Sequence, residues 1–354
     1  MFHYRDPMNS WLLDLLCCPN CQGELRLESA GSVNGDAPSG NFECARCQAR
    51  YPVQNGVPRF VSANGQDDQF GFQWNRFRRT QLDSSSGLPI SRQRFFNQAG
   101  WPAEELQGKL VLDVGCGAGR FAEVALAAGA RVVAVDFSSA ADACLENLGP
   151  CSSLGILQAD LYHLPLKPNS FDFVYCFGVL QHTPDVKAAF LAVVGQCKSG
   201  GRIAVDVYPK SLSNAVNPKY WLRPLTRRMP LARLLAAVRR MVPVLLPLSI
   251  RVGRIPLIGR KLRHLVPVAN YDGVYPLSPA QLREWALLDT FDMLAPRYDQ
   301  PQSLHTVRSW FAEAGLEAVE VFRLGVVVGR AVKPPRGQFV PPLKGFEASI
   351  AADV

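Results

Sequence analysis

Three glycines between two apolar stretches are the residues whose type and spacing most clearly suggest ligand binding. They are Gly115, Gly117 and Gly119 in LVLDVGCGAGRFAEVALAAGARVVAVDFS, residues 110–138. Because glycine has no Cβ atom, it lets the backbone approach a bound molecule closely. The candidate ligands are a nucleotide phosphate, a dinucleotide and S-adenosylmethionine. The spacing is not the G-x-G-x-x-G of dinucleotide sites, and the Gly-Lys-Ser/Thr of a phosphate-binding P-loop is absent, so neither of the first two candidates is supported.

Two C-x₂-C pairs near the amino terminus could bind a metal ion. They lie in LLCCPNCQGEL and FECARCQARYPVQNGVPRF. Four thiolates at this spacing fit one tetrahedron and would close a structural zinc site. The proposed ligands are Cys18, Cys21, Cys44 and Cys47. Cys17 could replace Cys18, although its longer gap to Cys21 fits less well, and the turn-rich stretch 29–40 between the pairs predicts a flexible hairpin tip.

The segments around the glycines predict the elements that must position them. Residues 109–114 have the pattern of a short buried strand, 118–128 that of a helix ended by Gly129, and ARVVAVDF that of a second strand. A strand, a glycine turn, a helix and a strand in this order open a doubly wound α/β sheet, in which ligands bind beyond the carboxyl ends of the strands. The segments LGILQAD and SFDFVYCFGVLQH predict the third and fourth strands.

Composition limits the class of protein. The 354 residues are 48% hydrophobic and 19% charged, which is enough for a large core and a second, smaller module. No uncharged apolar run approaches the roughly 18 residues of a membrane span. Asp14 interrupts the short apolar stretch 11–16, so a signal peptide is not indicated. Ten cysteines would suit a disulfide scaffold only in a much shorter secreted chain, and we expect a cytoplasmic protein.

The positive charge is concentrated in one segment. Residues 207–271 contain 13 Lys or Arg and no Asp or Glu, whereas the remainder has 25 basic and 30 acidic residues. LARLLAAVRRMV, residues 231–242, predicts an amphipathic helix. Its apolar face would carry Leu231, Leu234, Leu235 and Val238, and its other side Arg233, Arg239 and Arg240. This composition predicts a lid that meets anionic lipid or a polyprenyl-phosphate-linked substrate; a cap whose arginines are merely solvated is the alternative.

RNA is a less favoured partner for this basic segment. RNA-binding surfaces use aromatic side chains for base stacking. The stretch between Leu222 and Pro267 contains no Phe, Tyr or Trp.

The ordered motifs DVGCGAGR, VVAVDFS, LQADLYHLPLKPNSFDFVYCFGVLQHTPD and CKSGGRIAV resemble class I S-adenosylmethionine-dependent methyltransferases. The similarity is closest to the branch that contains quinone-biosynthesis and related small-molecule enzymes. It covers residues 108–208, and VRSWFAEAGLEAVEVFRLGVVVGRAV is similar to the last helix and the final antiparallel strand pair. The resemblance implies a Rossmann-like α/β fold with a doubly wound, seven-stranded sheet, and S-adenosylmethionine as cofactor.

The amino-terminal segment resembles a second family. LLCCPNC, FECARC and YPVQNGVPRF together are similar to the small zinc-ribbon domain that acts as activator subunit of certain tRNA and protein methyltransferases, and that also occurs fused to bacterial methyltransferases. The resemblance covers residues 10–61 and implies structural Zn²⁺ without chemistry at the metal. The expected division is a zinc ribbon (1–65), a cofactor-covering helical segment (66–107), the cofactor-binding core (108–208), a basic helical lid insertion (209–300), the C-terminal part of the core (301–335) and a tail (336–354).

The methyltransferase resemblance also implies roles for individual residues in the cofactor site. The implied set is Gly115, Gly117 and Gly119 for close backbone approach, Asp113 for the amino group directly or through water, Asp136 for the ribose, Phe137 for the adenine face, Asp160 and Leu161 for the base, and the backbone of Phe177 and Gly178 beside the sulfonium.

His182, in VLQHTPD, follows the fourth strand at the place where an acceptor should enter. A histidine side chain suits a general base for an oxygen acceptor, and a cap on the following helix is the alternative. The Asn/Asp-Pro-Pro-aromatic turn of methyltransferases that act on adenine or glutamine amides is absent. Further acceptor-side candidates are Trp74 and Arg76 in FGFQWNRFRRTQLD, and Tyr275, Asp289 and Asp292.

Three functions remain open on sequence grounds. The first is O- or C-methylation of a small or lipid-linked metabolite, with peripheral contact to the inner face of an anionic membrane. The second is methylation of tRNA or rRNA, which the zinc ribbon and the basic segment suggest. The third is a non-catalytic binding partner built on the cofactor fold. The intact cofactor motifs favour an active enzyme.

Overall fold

The computed structural model describes residues 9–29, 40–61, 69–211 and 217–335. Most of the predicted hairpin tip 29–40 and all of the tail 336–354 lie outside these ranges. The amino-terminal part is a short helix followed by a four-stranded antiparallel sheet. Its elements are α1 (Ser10–Leu13), β1 (Leu25–Ser29), β2 (Gly40–Cys44), β3 (Arg50–Gln54) and β4 (Val57–Pro58).

Three helices connect this ribbon to the central α/β unit: α2 (Gln69–Arg76), α3 (Asp83–Ser86) and α4 (Ile90–Ala99). Strands and helices then alternate. They are β5 (Leu110–Val114), α5 (Arg120–Ala127), β6 (Arg131–Asp136), α6 (Ala140–Leu148), β7 (Leu154–Gln158), β8 (Phe171–Cys176), α7 (Val186–Gln196) and β9 (Cys197–Val207). The predicted helix 118–128 thus agrees with α5 to within two residues at each end.

The remaining elements are an all-helical insertion and the end of the central unit. The insertion contains α8 (Pro218–Thr226), α9 (Leu231–Gly253), α10 (Gly259–Leu262) and α11 (Pro279–Leu294). The chain then returns to the sheet through α12 (Leu304–Glu313), β10 (Glu317–Leu324) and β11 (Val326–Val332).

The central sheet has seven strands in the order β7-β6-β5-β8-β9-β11-β10. The first five are parallel, and β11 and β10 are antiparallel to their neighbours. Every residue of β5 is buried, as expected for a parallel strand covered on both faces. The doubly wound, seven-stranded sheet predicted from the sequence is confirmed. Because the strand order reverses at β5, a crevice opens beyond the carboxyl ends of β5 and β8.

The ribbon covers the edge of this sheet. The Phe60 N–H donates to the Gln158 carbonyl at 2.7 Å, and the adjacent residue Arg59 forms a parallel bridge with Gln158 at the end of β7. Gly155 in β7 makes room for the ribbon residue Leu12, since a Cβ atom there would lie 2.7 Å from the leucine Cδ2. The covered strand therefore has no free edge along these residues, which removes a site of unwanted strand pairing.

The insertion has its own apolar core. The predicted apolar face of α9 is buried at Leu234, Leu235 and Val238 and packs with α11 residues such as Phe291, while Leu231 is half-buried. The three arginines expected on the other side, Arg233, Arg239 and Arg240, are exposed. Among the described residues, no helix is long and apolar enough to cross a membrane.

Candidate active site

A cavity of about 1830 Å³ lies at the carboxyl ends of the central strands. The glycine turn and the ends of β6 and β8 form one side, and α2, α4 and α11 form the other. Eight of the ten cofactor residues predicted from the sequence line it: Gly115, Gly117, Asp136, Phe137, Asp160, Leu161, Phe177 and Gly178. The other two, Asp113 and Gly119, do not line this cavity.

The glycine turn has backbone angles that other residues rarely adopt. The φ angles are +81° at Gly115, +53° at Gly117 and +88° at Gly119. A Cβ atom at Gly115 would lie 2.2 Å from a methyl carbon of Val179, and one at Gly117 would lie 3.1 Å from the Trp74 indole nitrogen. Both positions therefore require glycine for conformation and for space.

Gly119 has a structural rather than a cavity-lining position. It precedes α5, and a Cβ atom there would lie 2.9 Å from the Cys144 sulfur in α6. The third glycine therefore allows close packing of two helices beneath the cavity.

The Asp136 carboxylate accepts hydrogen bonds from two loops that line the cavity. Its Oδ2 accepts the Gly117 N–H at 2.8 Å, and its Oδ1 accepts the backbone N–H and the hydroxyl of Ser138 at 2.9 and 2.6 Å. Hydrogen bonds to a carboxylate favour its charged form. The side chain ends the second strand of the parallel sheet, at the position that binds ribose hydroxyls in doubly wound folds.

Asp113 lies below the cavity, within β5. The residue is buried, its Oδ2 has no hydrogen-bond partner among the described residues, and burial raises the pKa of its carboxyl to about 8. The suggested direct contact between Asp113 and a cofactor amino group is therefore not supplied by this arrangement.

An aromatic ring and a carboxylate also line the cavity, at Phe137 and Asp160. The Phe137 side chain is 53% exposed. Asp160 accepts the Tyr162 N–H at 2.9 Å and so caps the short turn Leu161–His163. Asp160 therefore has a local structural role in addition to its place in the cavity wall.

His182 lies at the end of the turn after β8 and lines the same cavity. Its Nδ1 lies 2.9 Å from the Tyr298 carbonyl oxygen. Because a carbonyl only accepts, Nδ1 must carry the hydrogen, and Nε2 of the neutral ring has a free lone pair. The alternative of a helix cap is wrong, because the Asp185 side chain caps α7 by accepting the Ala188 N–H at 3.0 Å.

Four of the five acceptor-side candidates line the cavity: Trp74, Tyr275, Asp289 and Asp292. Trp74 lies close to Gly117, so it faces the glycine turn as well as the open space. Arg76 does not line the cavity. It is exposed on α2, where its guanidinium lies 4.7 Å from the centre of the Phe72 ring.

The sequence reasoning missed two arginines in the cavity wall. Arg94 on α4 pairs with the buried Asp206 at 2.8 Å. Arg120 begins α5 and bonds to Ser91 and Gln81, with no carboxylate within 4 Å among the described residues. Burial and the charge of Arg94 lower the pKa of Arg120 to about 10. The sequence contained a signal for Arg120: a cation in the first turn of a helix is unfavourable with the helix dipole, so its presence there indicates another role.

Sequence reasoning also missed a chain of hydrogen bonds that links Arg120, through Gln81, to Asp289 of the insertion. Gln81 donates to the Asp289 carboxylate at 3.2 Å, and the Tyr271 hydroxyl donates to the other oxygen of Asp289. Burial raises the pKa of Asp289 to about 6. The insertion thus contributes polar groups and aromatic rings to the cavity wall, and is not only a cover.

The ribbon cysteines form one compact cluster. The Sγ atoms of Cys18, Cys21, Cys44 and Cys47 all lie within 4.8 Å of one another. Two of the Sγ–Sγ distances are 3.6 Å, from Cys18 to Cys47, and 3.4 Å, from Cys21 to Cys44. Zn–S bonds of about 2.3 Å in a tetrahedron place sulfurs about 3.8 Å apart. The donor set therefore fits zinc.

Cys17 is not part of this cluster. Its sulfur lies 3.4 Å from the Gln22 side-chain oxygen, and its backbone N–H donates to the Pro165 carbonyl. The structure therefore selects Cys18 as the first ligand of the predicted site.

The comparisons with known proteins agree with this architecture. Residues 112–205 match the model of a methyltransferase domain. Residues 10–56 match the model of the Trm112p-like protein family. Two separate segments of the chain are thus similar to a methyltransferase domain and to the Trm112p-like family. Both resemblances expected from the sequence are confirmed.

Curated relatives share part of the methyltransferase unit. A demethylmenaquinone methyltransferase from Thermobifida fusca is 34% identical over 122 residues, which is 33% of this chain and 52% of the relative. A ubiquinone biosynthesis O-methyltransferase from Azotobacter vinelandii is 34% identical over 129 residues, 34% of this chain and 56% of the relative. The chain thus spans about half the length of these relatives.

Solved structures show a more distant likeness. A magnesium protoporphyrin IX methyltransferase from Synechocystis PCC 6803, with bound SAH, is 17% identical, with a TM-score of 0.43 over 75% of this chain and 97% of that one. A complex of the Haloferax volcanii Trm112 methyltransferase activator with a methyltransferase gives 11% identity and a TM-score of 0.43, over 76% of this chain and 99% of that chain.

The residues of the cavity fit S-adenosylmethionine, the cofactor that this kind of domain implies. The glycine turn leaves space that side chains would fill, and Asp136 ends the second strand beside it. Phe137 presents an exposed ring, and Arg120 also lines the cavity. A carboxylate suits ribose hydroxyls, a flat ring suits a base, and a guanidinium suits a carboxylate.

Proposed function

We propose that the protein is an S-adenosylmethionine-dependent methyltransferase that acts on a small or lipid-linked acceptor. The observation that carries this proposal is the shared cavity: the glycine turn and Asp136 line the same space as His182, whose Nε2 has no hydrogen-bond partner among the described residues. A cofactor site without a proton acceptor would be equally compatible with a binding protein. The two together favour catalysis.

Binding of the cofactor would use groups that the fold already orders. Asp136 is fixed by Gly117 and Ser138 and would accept the ribose hydroxyls. Phe137 would pack on the adenine, and Arg120 would pair with the carboxylate of the amino-acid part. That pairing would give Arg120 the anionic partner that the described residues do not provide within 4 Å.

The cofactor supplies a methyl group on a sulfonium. Methyl transfer is an in-line displacement, so alignment of donor and acceptor provides most of the rate acceleration. Phe177 and Gly178 would border the reacting centre, and the Gly178 N–H is fixed by the buried Asp206 at 2.5 Å. His182 Nε2 would take the proton of an acceptor hydroxyl, while Nδ1 stays bonded to the Tyr298 carbonyl.

The insertion suggests a planar acceptor ring. Tyr271 and Tyr275 stack with ring centres 5.6 Å apart, and Trp285 packs against both at 5.3 and 5.4 Å. All three line the cavity. An aromatic or quinone-like acceptor would match these faces, in line with the names of the curated relatives.

The outer face of the insertion supports contact with an anionic membrane. Leu257 is fully exposed, and its neighbours Ile255 and Ile258 are about half exposed. Arg254 and Arg260 flank these apolar side chains along the chain. Exposed aliphatic residues among cations favour an interface with acidic headgroups. A lipid-linked acceptor would then enter the cavity from the membrane surface.

A methyl-transfer assay with radiolabelled S-adenosylmethionine tests the function. We expect label in a lipid or small-molecule extract and none in total RNA. His182→Ala should lower kcat by about 10²-fold or more with unchanged affinity for S-adenosylhomocysteine, whereas the exposed His305→Ala should retain full activity. Labelling of RNA alone would support the nucleic-acid alternative, and cofactor binding with no transfer to any fraction would support a binding protein.

A further inference from the structure

The ring orientation of His182 depends on a segment far from it in sequence. Its Nδ1 bonds to the carbonyl of Tyr298, which lies between α11 and α12. We call residues 296–300 the strap. The strap has no regular secondary structure, so the position of its carbonyl depends on contacts with other segments.

One end of the strap is held by an ion cluster from α8. Asp299 Oδ2 lies 2.9 Å from Arg223 Nη1 and 3.0 Å from Lys219 Nζ, and only 3% of the Asp299 side chain is exposed. Arg223 also donates from Nη2 to the Pro296 carbonyl at 2.6 Å. The Arg223 guanidinium therefore contacts the strap before Tyr298, at Pro296, and after it, at Asp299.

The other end of the strap is fixed to the loop that carries His182. The Gln300 N–H donates to the Gln181 carbonyl at 2.9 Å, and its side-chain amide donates to the carbonyls of Thr183 and Pro184 at 2.7 and 2.9 Å. The strap and the loop after β8 are therefore joined on both sides of the histidine bond.

From this arrangement we propose that Arg223 and Asp299 are positioning residues that hold the Tyr298 carbonyl against His182 Nδ1. The partner of one ring nitrogen determines which nitrogen carries the proton. By fixing the carbonyl, the pair keeps the hydrogen on Nδ1 and leaves Nε2 free toward the cavity. This inference rests on the proposed role of His182 as base, but the tautomer itself is independent of that role.

The burial of the pair favours positioning over a purely stabilising role. Buried ion pairs lose much of their Coulomb energy to desolvation and are often no more stable than apolar residues of the same size. Their directional bonds, however, specify one arrangement of the chain. Here that arrangement includes the Pro296 carbonyl, which accepts a hydrogen bond from Arg223, and the Tyr298 carbonyl, which lies between Pro296 and Asp299.

Nitrogen-15 NMR of the full-length protein labelled at its five histidines tests the inference without an assay. His182→Gln identifies the His182 signals. We expect wild-type His182 to show a protonated Nδ1 and a bare Nε2, and Arg223→Met and Asp299→Asn to show a mixture of tautomers. Arg223→Lys should restore much of the wild-type signal. The exposed Arg227→Met, at the carboxyl-terminal cap of the same helix, is the control.

Activity provides a second readout on the same variants. Arg223→Met should lower kcat by about 10- to 100-fold with a S-adenosylhomocysteine Kd within about twofold of wild type, and Arg223→Lys should lose less. If Arg223→Met does not fold, the same measurements on Asp299→Asn test the inference. A wild-type tautomer in folded Arg223→Met and Asp299→Asn would overturn the inference. Absence of methyl transfer in the wild type would contradict the proposed function, while the NMR result would still decide the tautomer.

Discussion

The carboxylate of Asp136 accepts a hydrogen bond from the Gly117 N–H at 2.8 Å. The bond joins the end of β6 to the glycine turn that follows β5. The same carboxylate accepts the Ser138 N–H on its other oxygen. Gly117 and Asp136 are 19 residues apart along the chain, and this bond holds their two loops together at the edge of the cavity. A substitution at either residue should therefore disturb both loops and weaken ligand binding.

Asp136→Ala should weaken binding of S-adenosylhomocysteine. The change removes the proposed acceptor of the ribose hydroxyls and leaves the buried Gly117 N–H without its partner. The expected loss is about 1–3 kcal/mol, or roughly 5- to 150-fold in Kd, measured by calorimetry. The control is Glu146→Ala on α6, which breaks an exposed ion pair with Arg78 and should leave the Kd unchanged. Tighter binding of NADH than of S-adenosylhomocysteine by the wild type would contradict the cofactor assignment.

Gly117→Val should abolish cofactor binding. A β-branched residue is strained at a φ of +53°, and its Cβ would lie 3.1 Å from the Trp74 indole. The matched control is Gly195→Ala in α7, where a Cβ atom meets nothing within 4 Å and helix propensity should raise the stability by up to about 1 kcal/mol. Full cofactor affinity in folded Gly117→Val would show that the turn does not contact the ligand.

Cys44→Ser should remove zinc from the ribbon and lower the melting temperature. Small metal domains derive much of their folding free energy from the ion, and the ribbon shares an apolar core with the central sheet. Elemental analysis should find one zinc per chain in the wild type and in Cys17→Ser, and none in Cys44→Ser.

Cofactor binding should survive this loss of zinc. None of the described ribbon residues lines the cavity, so the Kd of S-adenosylhomocysteine should change by less than about threefold at a temperature where Cys44→Ser remains folded. Wild-type protein that is purified without chelator and contains no zinc would refute the metal site.

Asp113 should make the protein less stable as the pH rises. Burial raises its pKa from 3.8 to about 8 in the folded state, so the unfolded chain releases this proton at lower pH than the folded chain does. The stabilising contribution is fully present below about pH 4 and is lost as the pH rises through 8. Urea unfolding should show the free energy of unfolding of wild type falling relative to that of Asp113→Asn between pH 4 and 8. A pH-independent difference between the two would show that Asp113 keeps its ordinary pKa.

Leu257→Ser combined with Ile258→Ser should weaken binding to vesicles of anionic phospholipid. Both side chains are exposed, so their removal should leave the melting temperature unchanged. Co-sedimentation of the double variant should fall several-fold relative to wild type, whereas Leu13→Ser, at a less exposed leucine on the ribbon, should have no effect. Equal binding by all three proteins would rule out the membrane surface.

Membrane binding is better tested with point variants than with a deletion, because removal of the insertion would disturb other parts of the protein. Arg223 anchors the strap, and α9 buries Leu234 and Val238 against α11. A deletion of residues 223–267 would therefore remove both the positioning of His182 and an apolar core.

The sequence by itself determined the class of fold and identified eight residues that line the cavity. Buried strands, a glycine turn and carboxylates at strand ends are local patterns, and their order fixes the doubly wound topology. The four cysteines that cluster in the ribbon were likewise predicted, because C-x₂-C spacing brings two thiolates close together. Local sequence also placed Arg233 and Arg239 on the exposed side of α9.

Only the tertiary structure decided the remaining questions. It placed Asp113 below the cavity and Arg76 outside it, selected Cys18 over Cys17, and gave the helix cap to Asp185 instead of His182. Each of these depends on which distant segments pack together. The free Nε2 of His182 depends on the Tyr298 carbonyl, 116 residues away, and no local pattern specifies a contact whose partners meet only when the insertion folds against the sheet.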